Sequence, residues 1–406
     1  IIRRENQDNA KPAVIFNDYM NCLMGDPTEE KETPLIDAAA EAGCDYYCVD
    51  SGWYADGDWW DGVGEWLPSE KRFPGGIKKT LDYIREKGMV PGLWLELEVM
   101  GINCQLVSRV PPEWFFQRSG KPLIDHGRYQ LDFRNPEVRQ FADGVVNRLV
   151  KDYCVGYIKM DYNINIGQGT GLGADSAAAG LLYHTGAYLD WLDGVFARYP
   201  DLVIENCGSG GMRMVYPLLA RHSIQSVTDQ EDYIKMAAIA CNCMTAVPPE
   251  QAAIWSYPQA GADEETVIFN MVSAMLFRIH QSGHLVELAK EQQGLVRIGI
   301  EVHKRICMDI KSGLPFWPLG LASMNSEFIC SGVDCGKRLY LAVWRTRGEG
   351  GAVEIRIPLP DGVIKADCAY PPQGANFKMD AGPDGSSLSV KLYPVTARLF
   401  ECTRFA

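Results

Sequence analysis

The chain has 406 residues, 47% of them hydrophobic and 22% charged, with a net charge of −13. That composition is enough for one large domain and a smaller one, and no apolar run approaches the roughly 18 residues a membrane span needs. The acidic balance argues against nucleic acid or an anionic membrane as partner and is compatible with a neutral, hydrogen-bonding ligand.

The chain opens at Ile1 without a methionine or a leader-like segment, so a piece of a longer protein is expected. Apolar strand-like runs then alternate with helix-length segments. Ala13–Asn17 precedes a helix over Glu29–Ala42, and Asp45–Asp50 runs into a polar loop rich in Trp, Gly and Asp. A helix is predicted over Ile77–Lys87, a strand over Val90–Glu96, and a helix over Arg139–Asp152 leading into Gly156–Asp161. Helical patterning returns from Gly180 to Tyr199, followed by strand-like runs at Leu202–Asn206, Ser223–Thr228 and Cys241–Ala246, and a last helix near Gln292–Lys311. Seven or eight β-α units in about 300 residues fit a (β/α)8 TIM barrel over 1–311. After residue 312, short alternating strands at Arg338–Arg345, Gly351–Ile357, Gly362–Asp367 and Ser387–Tyr393 follow, with turns at Pro358–Gly362 and Asp380–Gly385. These read as a small antiparallel β-sandwich over 312–406.

Several patterns are set aside. Thirteen scattered cysteines without paired spacing point to reduced thiols in a cytoplasmic or anaerobic setting, and Cys241-Asn-Cys243 is too tight for a zinc knuckle. His280 and His284 read as two histidines on a helix, because Gln281 stands where a zinc-protease motif needs Glu. The run Gly167–Gly173 starts too far beyond its strand for a dinucleotide fingerprint and reads as a flexible loop near a substrate. No metal or cofactor is expected.

The chemistry collects at strand ends, where a barrel carries its active site. On a strand, Lys159 and Asp161 share a face, with Asn163 just beyond, so the cation would keep the carboxylate ionised. A surface ion pair is the alternative reading of that segment. Five further strand ends are equally polar or aromatic: Asn17–Tyr19, Asp50–Trp53, Trp94–Glu96, Glu205–Cys207 and Thr228–Asp229. Asp161 and Asp229, on the fourth and sixth ends, suggest two carboxylates facing each other among aromatic platforms, as glycoside hydrolysis requires.

In chain order the segments resemble glycoside hydrolase family 36, the microbial and plant α-galactosidase family. Asn17-Asp-Tyr-Met-Asn21 is similar to its Asn-Ser-Trp-Glu, and Val49-Asp-Ser-Gly-Trp53 to its Asp-Asp-Gly-Trp. Gly64–Gly76, with Glu65-Trp66 and Lys71-Arg-Phe-Pro74, resembles Gly-Asp-Trp…Lys-Phe-Pro-x-Gly. Gly92-Leu-Trp-Leu-Glu-Leu-Glu98 resembles Gly-Leu-Trp-Phe-Glu-Pro-Glu, and Gly127–Leu131 with Asn135–Val138 resembles Gly-Arg-Asn-Gln-Leu followed by Asn-Pro-Glu-Val. Tyr157–Asn163 is similar to Tyr-Ile-Lys-Trp-Asp-Met-Asn, and Asn206–Arg213 to Ser-Cys-Ser-Ser-Gly-Gly-Gly-Arg. Thr228–Asp232 and Val247–Pro249 resemble Ser-Asp-x-x-Asp and Tyr-Pro-Pro.

The resemblance implies a retaining exo-α-glycosidase acting on an oligosaccharide or glycoconjugate, with Asp161 as nucleophile and Asp229 as acid/base, roughly 5–6 Å apart. Asp229, with no adjacent cation in sequence, is expected to hold the raised pKa an acid needs. Tyr19, Asp50, Ser51, Trp53, Trp94, Arg128, Lys159, Asn163, Cys207, Gly210 and Arg213 fall on sugar-contacting positions. Three departures stand out: Ser51 replaces the second aspartate of a pair, Tyr19 the first-strand Trp, and Met160 the Trp before the nucleophile. Losing a charge-assisted hydrogen bond at Ser51 costs about 1.5–3 kcal/mol, enough to change the sugar. An α-N-acetylgalactosaminidase or α-galactosaminidase and a raffinose-synthase-like transglycosylase are therefore the alternatives, with a non-catalytic sugar-binding module further off. The family's N-terminal β-sandwich has no counterpart in this sequence. Nucleic acid and membrane are not expected partners, and a homo-oligomer is compatible with the resemblance.

Overall fold

The computed structural model describes residues 3–382 and 385–405. Eight parallel strands form one closed barrel: β1 (Ile15–Asn17), β2 (Tyr46–Val49), β3 (Val90–Leu95), β4 (Tyr157–Met160), β5 (Val203–Asn206), β6 (Ile224–Ser226), β7 (Ala252–Ser256) and β8 (Arg278–Gln281). Their order is β1-β8-β7-β6-β5-β4-β3-β2. Almost every strand residue is buried on both faces, which is why the runs read as continuously apolar.

The helices that follow the strands are α1 (Glu29–Ala42), α2 (Ile77–Glu86), α3 (Pro136–Asn147), α4 (Ala177–Arg198), α5 (Tyr216–Leu219), α6 (Tyr233–Cys243), α7 (Glu264–Met275) and α8 (Lys290–Lys311). Local chemistry sets their limits. In α2 the buried residues Ile77, Thr80, Leu81 and Ile84 recur at helical spacing. The Asn135-Pro136 pair is a helix start: the Asn135 side chain accepts from the Glu137 N–H at 2.9 Å and proline takes the first turn. Asp232 and Asp263 cap α6 and α7 in the same way.

The chain forms two compact units. One comprises Ile1–Gln7, Leu23–Ile36 and Tyr46–Ser223 and carries β2 to β5; the other comprises Asp8–Cys22, Asp37–Asp45 and Ile224–Ala406 and carries β1, β6 to β8 and every strand after Lys311. In the second unit two antiparallel sheets follow the barrel strands. The first has the order β9 (Leu314–Phe316), β10 (Phe328–Asp334), β11 (Arg338–Arg345), β16 (Thr396–Arg404), β13 (Val363–Tyr370). The second is β12 (Val353–Leu359), β15 (Gly385–Leu392), β14 (Asn376–Gly382). Leu339, Leu341 and Val343 of β11 share a buried core with Ile357, Leu388, Val390 and Phe400. The opposite face of β11 sends the Trp344 indole N–H to Ser273 of α7 at 3.2 Å. Pro383 and Asp384 of the expected Asp380–Gly385 turn lie outside the described residues; Gly382 pairs with Gly385 on either side of them.

Three expectations are corrected. Cys241–Ala246 is the end of α6 and a turn, with Met236, Ala237, Ala240 and Cys241 buried at helical spacing behind the Asp232 cap; the seventh strand is Ala252–Ser256. His280 is on β8, opposite Ile15 of β1 and Trp255 of β7, so the two histidines share no helix. The 167–173 loop is anchored: Thr170 is buried, its hydroxyl accepts from the Gln117 N–H at 3.0 Å, and Gly171 N–H donates to the Gln117 carbonyl at 2.9 Å.

Candidate active site

The end of β4 delivers Lys159 and Asp161 into the interior of the first unit, where both are buried. Burial excludes the surface ion-pair reading. Lys159 takes Asp50, at the end of β2, as its direct partner, with Nζ 2.9 Å from Oδ2. The other Asp50 oxygen accepts the Ser51 N–H at 2.8 Å. Asp161 is held by donors from three strand ends. The Trp94 indole N–H reaches its Oδ2 at 3.1 Å, while the N–H groups of Tyr162 and Ser209 reach Oδ1 at 2.8 and 3.1 Å. Burial would raise its pKa, but the Lys159 charge and hydrogen bonds from Asn163, Cys207 and the Tyr162 N–H hold it below the ordinary aspartate range. The result is a buried, preorganised anion.

Glu96, just past β3, has no exposed surface. It accepts from the Asn163 N–H and side-chain amide at 2.6 and 3.1 Å and from Arg128 at 2.5 Å. Burial pushes its carboxyl up to about 7 against the Arg128 charge, with the Asp161 anion adding to the rise. Two carboxyls of one site are thereby pushed apart in pKa, Asp161 down and Glu96 up.

Aromatic rings from the β2 loop wall this group. Tyr54 stacks on Trp94 with centroids 6.1 Å apart, and Trp59 meets Trp94 edge-on at 5.6 Å. Trp53 has no exposed surface and donates its indole N–H to the Trp94 carbonyl at 3.0 Å. Arg128, equally buried, stacks 3.6 Å above Trp60. Ser51 is buried, and its hydroxyl has no hydrogen-bond partner among the described residues. At the β5 end, Cys207 is buried and Gly210 has φ 75°, a conformation glycine adopts without strain. Arg213 pairs with Glu98 at 2.5 Å and lies over the Tyr162 ring. A cavity of about 470 Å³ beside this loop is lined by Tyr162, Asn165, Met212 and Arg213.

The first unit thus gathers Asp50, Ser51, Trp53, Trp94, Arg128, Lys159, Asp161, Asn163, Cys207, Gly210 and Arg213. Tyr19 and Asp229 belong to the second unit. Tyr19 is half-buried just after β1, its N–H on Asn17 Oδ1 at 2.9 Å. Asp229 is exposed in the loop after β6, and in that loop the Gln230 carbonyl accepts from the Tyr257 hydroxyl. Glu98, Ser209 and His184 were not singled out from sequence. Glu98 had a signal, because Trp94, Glu96 and Glu98 alternate; Ser209 acts through its backbone and His184 comes from distant α4, and neither leaves a local trace. Among the described residues no group of three or more His, Cys, Asp or Glu is arranged to hold a metal ion.

Replacing Lys159 by methionine removes the cation paired with the buried Asp50. A stability loss of about 3–5 kcal/mol is expected in urea unfolding; a loss below about 1 kcal/mol, the range of exposed pairs, would contradict the buried pairing.

The closed eight-stranded parallel barrel places the chain among the TIM-barrel proteins. Residues 1–304 match the Melibiase family, and the chain belongs to it. It is 28% identical over 219 residues to the α-galactosidase Mel36A of Lactobacillus acidophilus, covering 52% of this chain and 29% of that protein. It is 27% identical over 219 residues to an α-galactosidase of Escherichia coli, covering 53% and 30%. Among solved structures it resembles the galactosidase domain of the α-galactosidase-sucrose kinase AgaSK, with TM-score 0.79 and 21% identity over 100% of this chain and 56% of that one. The family 36 α-galactosidase AgaA of Geobacillus stearothermophilus has TM-score 0.83 and 17% identity over 99% and 57%. The matched region spans about three tenths of Mel36A and of the Escherichia coli α-galactosidase.

Proposed function

We propose that the protein is a retaining exo-α-glycosidase of α-galactosidase type that removes a terminal galactose-configured sugar from an oligosaccharide or glycoconjugate. The observation that carries this reading is Asp161, a buried carboxylate kept anionic by Lys159 and donors from three strand ends. A carboxylate so held is ready to attack an anomeric carbon. Asp229, exposed in the β6 loop, is the proposed acid/base. Tyr19, Asp50, Ser51, Trp94, Lys159, Asn163, Cys207 and Gly210 are the proposed sugar-facing residues, with Trp53, Arg128 and Arg213 backing that wall. The cavity beside Tyr162 and Met212 offers room for the leaving group. We place the boundary between barrel and sandwich at residues 311–312.

A panel of nitrophenyl α-glycosides (galactosyl, N-acetylgalactosaminyl, galactosaminyl, arabinopyranosyl and glucosyl) tests the reading. Turnover of at least one galactose-configured member is expected; none on any member would sink it. Adding an acceptor sugar separates hydrolysis from transfer.

The Ser51 hydroxyl, without a hydrogen-bond partner among the described residues, favours an altered sugar preference within the same chemistry. Ser51→Asp is expected to raise the preference for the plain α-galactoside over the best natural sugar by roughly 10–100-fold in kcat/KM. An unchanged ratio would remove Ser51 from the specificity wall.

A further inference from the structure

We infer that Glu98 and Arg213 are positioning residues that hold the Ser209 N–H on Asp161, so that the end of β3 governs all three strand ends that grip the nucleophile. The inference rests on the proposed role of Asp161. Trp94, Glu96 and Glu98 are alternate residues at and just beyond the end of β3. Each serves a different donor of the same carboxylate. Trp94 bonds Asp161 directly at 3.1 Å. Glu96 fixes Asn163 through two hydrogen bonds, and the Asn163 side chain bonds Asp161. Glu98 fixes Arg213, which closes the loop that presents Ser209.

That loop is folded around the arginine. Asn206 Nδ2 donates to the Arg213 carbonyl at 3.2 Å, Met212 N–H to the Gly208 carbonyl at 2.9 Å, and Gly208 N–H to the Gly210 carbonyl at 3.0 Å. A side chain on Gly208 would meet the Arg213 stem at 3.0–3.2 Å, so the two are packed together. Ser209 between them has φ 45°, a left-handed conformation that a serine keeps only when its surroundings impose it. The Arg213 guanidinium lies 4.5 Å from the Tyr162 ring centre and 5.4 Å from that of Tyr188. Glu98 is itself fixed from α4. The Phe133 N–H donates to His184 Nδ1 at 3.0 Å, which leaves the proton on Nε2 to be donated to Glu98 at 3.1 Å. Burial would raise Glu98, but Arg213 and His184 outweigh it and keep it ionised.

The test is the paired variant Glu98→Gln/Arg213→Gln, which removes both charges and so leaves no lone buried ion, alongside Arg213→Lys. Hydrogen exchange over residues 206–213 and the pH profile of kcat/KM are read together. In the paired variant the Ser209 amide is expected to lose at least tenfold in protection. The acid limb is expected to move up by about one pH unit, as loss of one donor to a carboxylate requires. The fall should be in kcat, with KM changed less than about threefold, and Arg213→Lys should lie between the paired variant and wild type. Unchanged protection of Ser209, or an acid limb that stays in place while activity falls, would overturn the inference. Lost protection in a protein that turns over no glycoside at all would support the clamp and remove the proposed function instead.

Discussion

Asp161→Ala is expected to lower kcat on any accepted glycoside by at least about 10⁴-fold, because the step that forms the glycosyl-enzyme has no second nucleophile to fall back on. The loss follows from how much of the local structure is spent on this one carboxylate. Trp94, Tyr162 and Ser209 each direct an N–H at it, and the Lys159 charge stabilises its anion although Lys159 pairs directly with Asp50. Methyl in place of carboxylate leaves those donors facing an empty space of about the right size for a small anion. Added azide is therefore expected to attack from that side and give a glycosyl azide of inverted configuration. A product of retained configuration, or a loss under tenfold, would contradict the role of Asp161.

Asp229→Ala is expected to divide substrates by leaving group. A general acid contributes about 10²–10⁴-fold when the departing oxygen needs a proton, and little when the leaving group is a stable nitrophenolate. Natural disaccharides should lose about 10²–10⁴-fold, activated glycosides less than about tenfold in the first step, and azide should give product of retained configuration. Equal losses on both substrate types would remove Asp229 from the acid role. The exposed setting of Asp229, against the burial of Asp161, suits a group that must take up and release a proton each turnover.

Much of this was legible in the sequence, for reasons that can be stated residue by residue. The barrel strands are apolar on both faces, so Val90–Leu95 and Tyr157–Met160 stand out against polar helices. β7 escapes the pattern because α6 ends in Cys-Asn-Cys, a run whose alternation imitates a strand, while Ala252–Ser256 follows closely on two prolines. The histidines read as helical because positions 280 and 284 are one helical turn apart, whereas Arg278–Gln281, with Arg, His and Gln, lacks the apolar run that marks the other strands. Among the sandwich strands, Arg338–Arg345 was found to the residue, whereas Phe328–Asp334 and Thr396–Arg404 carry Ser, Gly, Cys and Arg that blur the alternation.

At the site, Lys159 and Asp161 were paired from spacing alone. In three dimensions Lys159 pairs directly with Asp50 from β2 while its charge still stabilises the Asp161 anion, and Asp161 also takes the backbone N–H of Ser209 from β5. Contacts between strand ends so distant in sequence, and donors that are main-chain N–H groups, leave no mark on local pattern. Glu98 was visible only as the third member of an alternation whose purpose depends on where Arg213 folds.

The most direct test of Asp161 as nucleophile is to trap the glycosyl-enzyme with a 5-fluoro-α-glycosyl fluoride of the sugar the panel selects, and to map the label by peptide mass spectrometry. Fluorine beside the ring oxygen slows both steps, and the fluoride leaving group keeps the first one fast enough for the intermediate to accumulate. One sugar on the peptide containing Asp161, absent from Asp161→Ala, is the predicted result. Turnover without a trapped sugar, or a label on any other residue, would contradict the account.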